Sequence, residues 1–349
     1  MTGRERIEAA CALRKPDRVP FVPAVYEHKA RLIGVSPSAI CRDPDLLYRG
    51  LSRELEVYSP DALTVGIDVY NVEAEALGCR VHYFEASNDV PAIVEPLIRR
   101  REDLAALGLP DPERAGRMPL CLEVAAAVAR EQGHRILVRG ALTGPYSMAA
   151  ELVGAEFFLM ASVEDPSFAR SLLDFAASVT LEFGRAFIRR GVEPILFDSR
   201  ATPQLASPRV FRELVLPVYR DQLIPQLKRA GACHIPLIIG GNTNAIVDHL
   251  IATGATQLLC DSPSDRRLFR EKCLAARIPF RASVDARTVH SGPPEAIRGE
   301  AAKILEECSG YPGLLLGCGV VAYDTDPSHV LAIRDAIAAS EAESQRHLH

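Results

Sequence analysis

The sequence predicts a single (β/α)8 barrel, and three observations carry that expectation. Short runs that are apolar on both faces recur eight times along the 349 residues. Amphipathic stretches of helical length separate them, and no linker, repeat or low-complexity segment divides the chain. Strands buried by helices on one side and by a filled interior on the other need this alternation. An open doubly wound sheet is the rival architecture.

Taken in order, the strand-like runs are Val19-Pro20-Phe21-Val22, Leu63-Thr64-Val65-Gly66-Ile67, Ile136-Leu137-Val138, Pro194-Ile195-Leu196-Phe197, Pro236-Leu237-Ile238-Ile239, Gln257-Leu258-Leu259, Phe280-Arg281-Ala282-Ser283-Val284 and Gly313-Leu314-Leu315-Leu316. Helical spacing marks 166–190, 207–230, 243–254, 264–276 and 295–308. Ser207-Pro208 offers a capping serine followed by proline in the first turn, and Ser264 precedes another helical stretch. The alternation breaks over 69–118, where Gly78-Cys79-Arg80-Val81-His82-Tyr83-Phe84 reads as an extended excursion after the second strand, within one domain spanning 1–349.

The composition is that of an ordinary globular chain, 48% hydrophobic and 24% charged, long enough to bury a core without disulfides or a structural metal. Forty basic residues against forty-five acidic ones leave a net charge of -5, which argues against nucleic-acid or membrane-surface partners. The first residues lead into no apolar signal core, so a cytoplasmic protein is expected. Nine cysteines without a Cys-x-x-Cys pair read as free thiols. Dinucleotide, P-loop and Gly-x-Ser-x-Gly fingerprints are absent.

In a parallel barrel the chemistry sits at the C-terminal strand ends. Those ends carry Asp68, Thr143-Gly144-Pro145-Tyr146, Asp198-Ser199-Arg200, Gly240-Gly241-Asn242-Thr243, Asp261-Ser262, Asp285 and Gly317-Cys318-Gly319. Each acidic or hydroxyl residue there has two readings, since the same side chains cap helices. Cys318 has three: zinc ligand, nucleophile, or small buried hydrophobe. Its flanking glycines are expected to let the backbone approach a ligand and to leave the thiol exposed in the mouth.

These strand ends resemble the uroporphyrinogen decarboxylase superfamily, which also holds cobalamin-dependent and coenzyme M methyltransferases. The resemblance runs from Asp17-Arg18-Val19-Pro20 through Tyr58-Ser59-Pro60-Asp61-Ala62 with Asp68, Glu73-Ala74-Glu75-Ala76-Leu77-Gly78, Gly144-Pro145 and Phe197-Asp198-Ser199 to Asp326-Pro327-Ser328-His329-Val330. The decarboxylases' Arg-Gln-Ala-Gly-Arg motif is missing from Val25-Tyr26-Glu27-His28-Lys29-Ala30-Arg31, and their active-site tyrosine falls at Glu151. Gly317-Cys318-Gly319 is similar to the methyltransferase branch, whose cysteine is a zinc ligand. The other two ligands of that branch fall on Ile238 and Gly240, neither of which donates to a metal. A rearranged set using Cys318, Cys260, Glu151 or Asp261 is the alternative.

The resemblance implies Asp68, Glu151 and Cys318 as catalytic residues, with His28, Tyr146, Asp198, Ser199, Arg200, Asn242 and Asp261 binding a small-molecule substrate. The leading expectation is methyl transfer between a small donor and a corrinoid or tetrahydrofolate-type carrier, with no tightly bound cofactor and no complete zinc site. No Asp-x-His-x-x-Gly corrinoid motif is present, so a corrinoid would arrive on a partner protein. An oligomer is compatible with the sequence. Decarboxylation of a carboxylated, tetrapyrrole-like substrate is the second expectation, favoured if Arg139, Arg200 and Arg281 make the mouth strongly positive. A non-catalytic barrel that binds a tetrapyrrole or corrinoid is the third.

Overall fold

The computed structural model describes residues 1–346 apart from 67, 86 and 87, with 343–346 as backbone only. Ile67, which closes the second strand-like run, lies outside the described residues, as do Ala86 and Ser87 of the expected excursion. The strands are β1 (Ala62–Val65), β2 (Val81–His82), β3 (Ala92–Ile93), β4 (Leu137–Thr143), β5 (Glu193–Phe197), β6 (Pro236–Ile238), β7 (Gln257–Cys260), β8 (Phe280–Val284) and β9 (Leu314–Cys318). Seven of them form one parallel sheet in the order β1-β4-β5-β6-β7-β8-β9, while β2 and β3 pair antiparallel by themselves. Sequential neighbours joined by helical crossovers give a curled sheet, the arrangement of a TIM-barrel-like α/β fold.

The edges β1 and β9 do not pair with each other. Between them runs Pro20–Ala24, whose first residues were expected as a regular strand and which is instead a bridged, proline-interrupted segment. The Leu316 N–H donates to Pro20 O at 2.9 Å and the Val22 N–H to Leu316 O at 2.8 Å. On the other side the Asp61 N–H donates to Phe21 O at 2.9 Å. Pro20 and Pro23 have no N–H to give, so a full ladder cannot form here.

Helices cover the outside. The longest, Pro166–Ile188, starts at Asp165, whose carboxylate accepts the Phe168 N–H at 3.1 Å, and buries Leu172, Leu173, Ala176, Phe183 and Phe187. It comes close to β4 at Gly140, where a Cβ would stand 2.5 Å from the Phe187 ring. The expected helix over 207–230 starts at Ser207 as read, with Ser207 Oγ accepting the Val210 N–H. It then passes through wider π turns at Phe211–Val215 and Val218–Leu223 before Ile224–Arg229. Pro217 and Pro225 remove the N–H groups a regular helix would need there. The helix expected from Ser264 is capped one residue later, by Asp265. Ser264 instead donates to Gly241 O and accepts the Thr243 N–H.

The stretch 69–118 contains the short helices Val72–Ala76 and Arg101–Ala105 and the β2–β3 pair. Its backbone is tied to the body by the Ile98 N–H donating to Leu152 O at 2.9 Å. Glu73, 1% exposed, anchors its root by accepting the Thr143 N–H and hydroxyl, each at 2.7 Å. Among the described residues no single helix is long and apolar enough to cross a membrane.

Burial pushes the Glu73 carboxyl from its ordinary 4.5 up to about 7, against the hydrogen bonds from Thr143. Between those two values the folded chain holds a proton that the unfolded chain has lost. Stability is therefore lost as pH rises through that window and is level above it. We expect Glu73→Gln to flatten this slope: its melting temperature should fall less than wild type's between about pH 5 and about pH 8. Parallel curves for the two proteins would contradict the assignment.

Candidate functional site

At the C-terminal strand ends lies a cavity of about 300 Å³, walled by Tyr26, Phe197, Ile238 and Leu259 and rimmed by Val90 and Val320. The Tyr26 and Phe197 rings meet edge-on with centroids 5.4 Å apart. The cavity's polar lining residues are Glu27, Asp68, Asp261, Tyr70, Ser199, Asn71 and Arg281. Three of the residues expected from the sequence thus share one cavity: Asp68 after β1, Ser199 after β5 and Asp261 after β7.

Asp68 is 4% exposed. One of its oxygens accepts from Arg117 Nη2 at 2.8 Å and the other from the Asn71 side-chain amide. Arg117 is shared with Glu75, to which its Nε donates. Burial pushes the Asp68 carboxyl up, against the pull of Arg117 and Asn71. Ser199 Oγ faces the Gly240 N–H at 3.4 Å, and Asp261 accepts the Gly241 N–H at 2.8 Å, so the β6 loop is pinned to both neighbours. Burial raises the Tyr70 hydroxyl, and its hydrogen bond with Ser199 opposes that shift. Glu27 is raised by burial as well.

The remaining expected residues do not line the cavity. Asp198 is fully buried and caps the helix Pro145–Val153, accepting the Ser147 N–H at 2.6 Å, the Tyr146 N–H at 3.3 Å and the Tyr219 hydroxyl at 2.7 Å. Tyr146 is buried, its hydroxyl 3.4 Å from Ser162 Oγ. Arg200 is paired with Glu151, with Nε 3.0 Å from Oε1. His28 is inaccessible, with Nε2 2.6 Å from the Tyr58 hydroxyl and Nδ1 against the carbonyls of Ala322 and Tyr323; burial lowers its pKa. Asn242 turns its side chain onto the Asn244 N–H at 3.1 Å.

Cys318 departs from expectation. It is 0% exposed, and burial pushes its thiol up to about 11. The flanking glycines serve backbone packing: a Cβ on Gly317 would stand 2.0 Å from Val22 O, and one on Gly319 would stand 2.8 Å from the Ala286 Cβ. Close chain approach and an open thiol leave the same tripeptide in a sequence. Cys260 is also fully buried. Among the described residues no three His, Cys, Asp or Glu side chains are placed to hold a metal, so Cys318, Cys260 and Glu151 do not form the alternative set. The donors present do not fit the zinc site implied for the methyltransferase branch, which needs about three protein ligands.

Sequence reasoning overlooked Arg117, Asn71, Tyr70, Tyr26 and Glu27. Arg117 stands 49 positions from Asp68 and meets it only because 69–118 folds back on its root. Tyr26 and Glu27 come directly after Pro20–Ala24, and their place past the end of a strand-like run is the signal that could have found them. Of the three arginines considered for a positive mouth, Arg139 is buried elsewhere against Gln257 at 3.0 Å, Arg200 is paired with Glu151, and Arg281 alone lines the cavity.

A thiol titration checks the Cys318 assignment. Cys233, the exposed cysteine, should react quickly with a disulfide reagent, whereas Cys318 should react only on unfolding. A fast thiol mapped to Cys318 in the folded protein would contradict its burial.

Comparison with known proteins adds to this geometry. The family model described as Uroporphyrinogen decarboxylase (URO-D) matches residues 2–340. A methylcobamide:CoM methyltransferase of Methanosarcina barkeri (strain Fusaro / DSM 804) is 23% identical over 91% of this chain and 93% of its own. A uroporphyrinogen decarboxylase of Chlorobium phaeovibrioides is 25% identical over 87% of each chain. Among solved structures, a methyltransferase from Methanosarcina mazei superposes with a TM-score of 0.87, covering 97% of this chain and 99% of that one at 22% identity. A B12-independent methionine synthase from Shewanella shares the fold more loosely, with a TM-score of 0.52 at 15% identity. With its family model matched across nearly the whole sequence, this chain belongs to the uroporphyrinogen decarboxylase (URO-D) family.

Proposed function

We propose that this protein is a methyl-transfer enzyme that moves a methyl group between a small molecule held in the strand-end cavity and a corrinoid or pterin carrier brought by a partner protein in the cytoplasm. The observation that carries the reading is the charge of the cavity: among the described residues, three acidic residues and a single basic one line it. A polycarboxylate needs several basic groups, because each carboxylate is held by paired N–H donors. Decarboxylation of a tetrapyrrole acid is therefore the reading that this lining disfavours. The full-length similarity to methylcobamide:CoM methyltransferases agrees with methyl transfer. In this reading Pro20–Ala24 is the eighth stave of the barrel, and the Tyr26–Glu27 corner after it is part of the mouth.

A corrinoid or pterin carrier, when bound, would supply an electrophilic methyl group and keep the electron pair of the bond that breaks. The chain's own residues do the rest. Apolar walls from Tyr26, Phe197, Ile238 and Leu259 exclude water and hold the acceptor in line with the methyl carbon. As the acceptor atom attacks, its proton passes to a carboxylate oxygen of Asp68, which Arg117 and Asn71 hold in a fixed orientation. Ser199 and Asp261 orient the acceptor by hydrogen bonds. Cys318, with a buried thiol of raised pKa, has no role as a nucleophile here.

The test is incubation with methylcobalamin and a series of thiol acceptors, monitoring the cobalamin spectrum. Demethylation dependent on both protein and acceptor is expected. Asp68→Asn should lower kcat/KM by about 10²-fold or more, with the fold confirmed by circular dichroism. A spectrum unchanged with every acceptor, while carbon dioxide is released from a carboxylated substrate, would reverse the assignment.

A further inference from the structure

Among the described residues, the cavity holds one cation that the fold leaves without a counter-charge. Arg281, on β8, is 5% exposed and reaches the lining from the second residue of its strand, below the strand ends that carry Asp68 and Asp261. Its Nη1 donates to Val22 O at 3.3 Å, while its Nε is buried with no hydrogen-bond partner. Among the described residues it makes no ion pair. Other buried cations are treated differently: Arg6 meets Asp61 at 2.5 Å, Arg117 meets Asp68 at 2.8 Å and Lys29 meets Glu54 at 3.3 Å. Arg139 is likewise an interior arginine without an acid and with an unpartnered Nε, but its Nη2 is bonded to Gln257 and it does not line the cavity. Two residues along β8, on the same face as Arg281, Ser283 Oγ is likewise fully buried and unpartnered.

Removing a guanidinium from water is costly unless an anion compensates it. The remaining charged residues lining the cavity, Glu27, Asp68 and Asp261, are all acidic; Asp68 and Asp261 follow the ends of β1 and β7, and Glu27 follows the bridged segment Pro20–Ala24. We propose that Arg281 is the anchor of an anionic subsite: the cavity takes a small ligand bearing one carboxylate or sulfonate, inserted acid end first, with a neutral or cationic end facing Asp68 and Asp261. A second acid group would meet three carboxylates, so dianions are excluded by like charge. The monoanion is thereby selected over both the neutral analogue and the dicarboxylate. The subsite rests on the reading above only in placing the ligand in this cavity, and binding is measured without turnover. Absence of methyl transfer would therefore leave the anion subsite standing, and its own failure would leave methyl transfer untouched.

Calorimetric titration with four probes of similar size tests the idea: 3,3-dimethylbutanoate, its zwitterionic isostere trimethylammonioacetate, the neutral 3,3-dimethylbutanamide, and 3,3-dimethylglutarate. The two single-acid probes should bind at least about tenfold more tightly than the amide, and the dicarboxylate should bind more weakly than either. Arg281→Met should erase the preference for acid over amide. It should also leave the melting temperature of the ligand-free protein unchanged or higher, because a buried unpaired charge has been removed. A purely structural arginine would instead lower that temperature when replaced. Should Arg281→Met fail to fold, Arg281→Lys keeps the charge but loses the fork, and should retain the acid preference at reduced affinity. No acid-over-amide preference in the wild type, including no binding of any probe, overturns the proposal, as does an undiminished preference in Arg281→Met.

Discussion

A curled parallel sheet has two edges, and the placing of one short segment between them organises this molecule. Pro20–Ala24 lies between β1 and β9, held on the β9 side by backbone bonds with Leu316 and Val321 and on the β1 side by Asp61. The Asp61 N–H donates to Phe21 O, and its carbonyl accepts the Leu137 N–H. Its carboxylate, 2% exposed, accepts the Phe21 N–H at 2.6 Å and is neutralised by Arg6 and Arg18. The other side closes only because position 317 has no side chain, since Val22 O lies where its Cβ would be. Buried backbone at a sheet edge must find partners, and two prolines deny this segment a regular ladder. A carboxylate and a glycine supply what the ladder cannot.

The lining of the cavity depends on that placement. Once Pro20–Ala24 is seated, Tyr26 and Glu27 turn into the mouth beside Gly319 and Val320, and the cavity gains an aromatic wall and a carboxylate. An adjoining part of the lining comes from the root of 69–118, where Glu73 grips Thr143 and Arg117 returns to Asp68. The mouth is thus assembled from the two parts of the chain that depart most from simple strand–helix alternation. Its polarity is graded, with carboxylates from strand ends above and a guanidinium from within β8 below. Arg6, Lys29 and Arg117 all meet acids, whereas the arginine that lines the cavity meets none among the described residues.

The architecture was legible because its signals are repetitive. Two-sided apolar runs and amphipathic helices mark nearly every element of the sheet and its cover, and helix starts such as Ser207-Pro208 are written locally. Departures came where a local signal competes with chain approach or with proline. Helix 207–230 has the right periodicity, yet Pro217 and Pro225 force wider turns into it. Gly317-Cys318-Gly319 marks a tight spot in the backbone, and nothing in the tripeptide says whether a ligand or Val22 occupies it. The site was half legible: Asp68, Ser199 and Asp261 sit at strand ends and could be placed by topology. Asp198 sits there too and is a helix cap, a use that sequence cannot separate from ligand binding. Arg117 depended on folding across the chain, through the return of 69–118, whereas Arg281 was among the arginines considered for the mouth and only its lack of an acid among the described residues needed the fold.

The central claim is that a small ligand sits in the strand-end cavity with its acid group down on Arg281 and its other end among the rim carboxylates. A crystal structure with 3-bromobenzoate bound tests it directly, because the unreactive aryl bromine can be located by its anomalous signal independently of the carboxylate. The account predicts the carboxylate within hydrogen-bond distance of Arg281 and the bromine on the rim side, facing Asp68 and Ser199. A bromine at the floor with the carboxylate at the rim would contradict it. So would a ligand found only in the larger groove of about 550 Å³ lined by Arg18 and Tyr311.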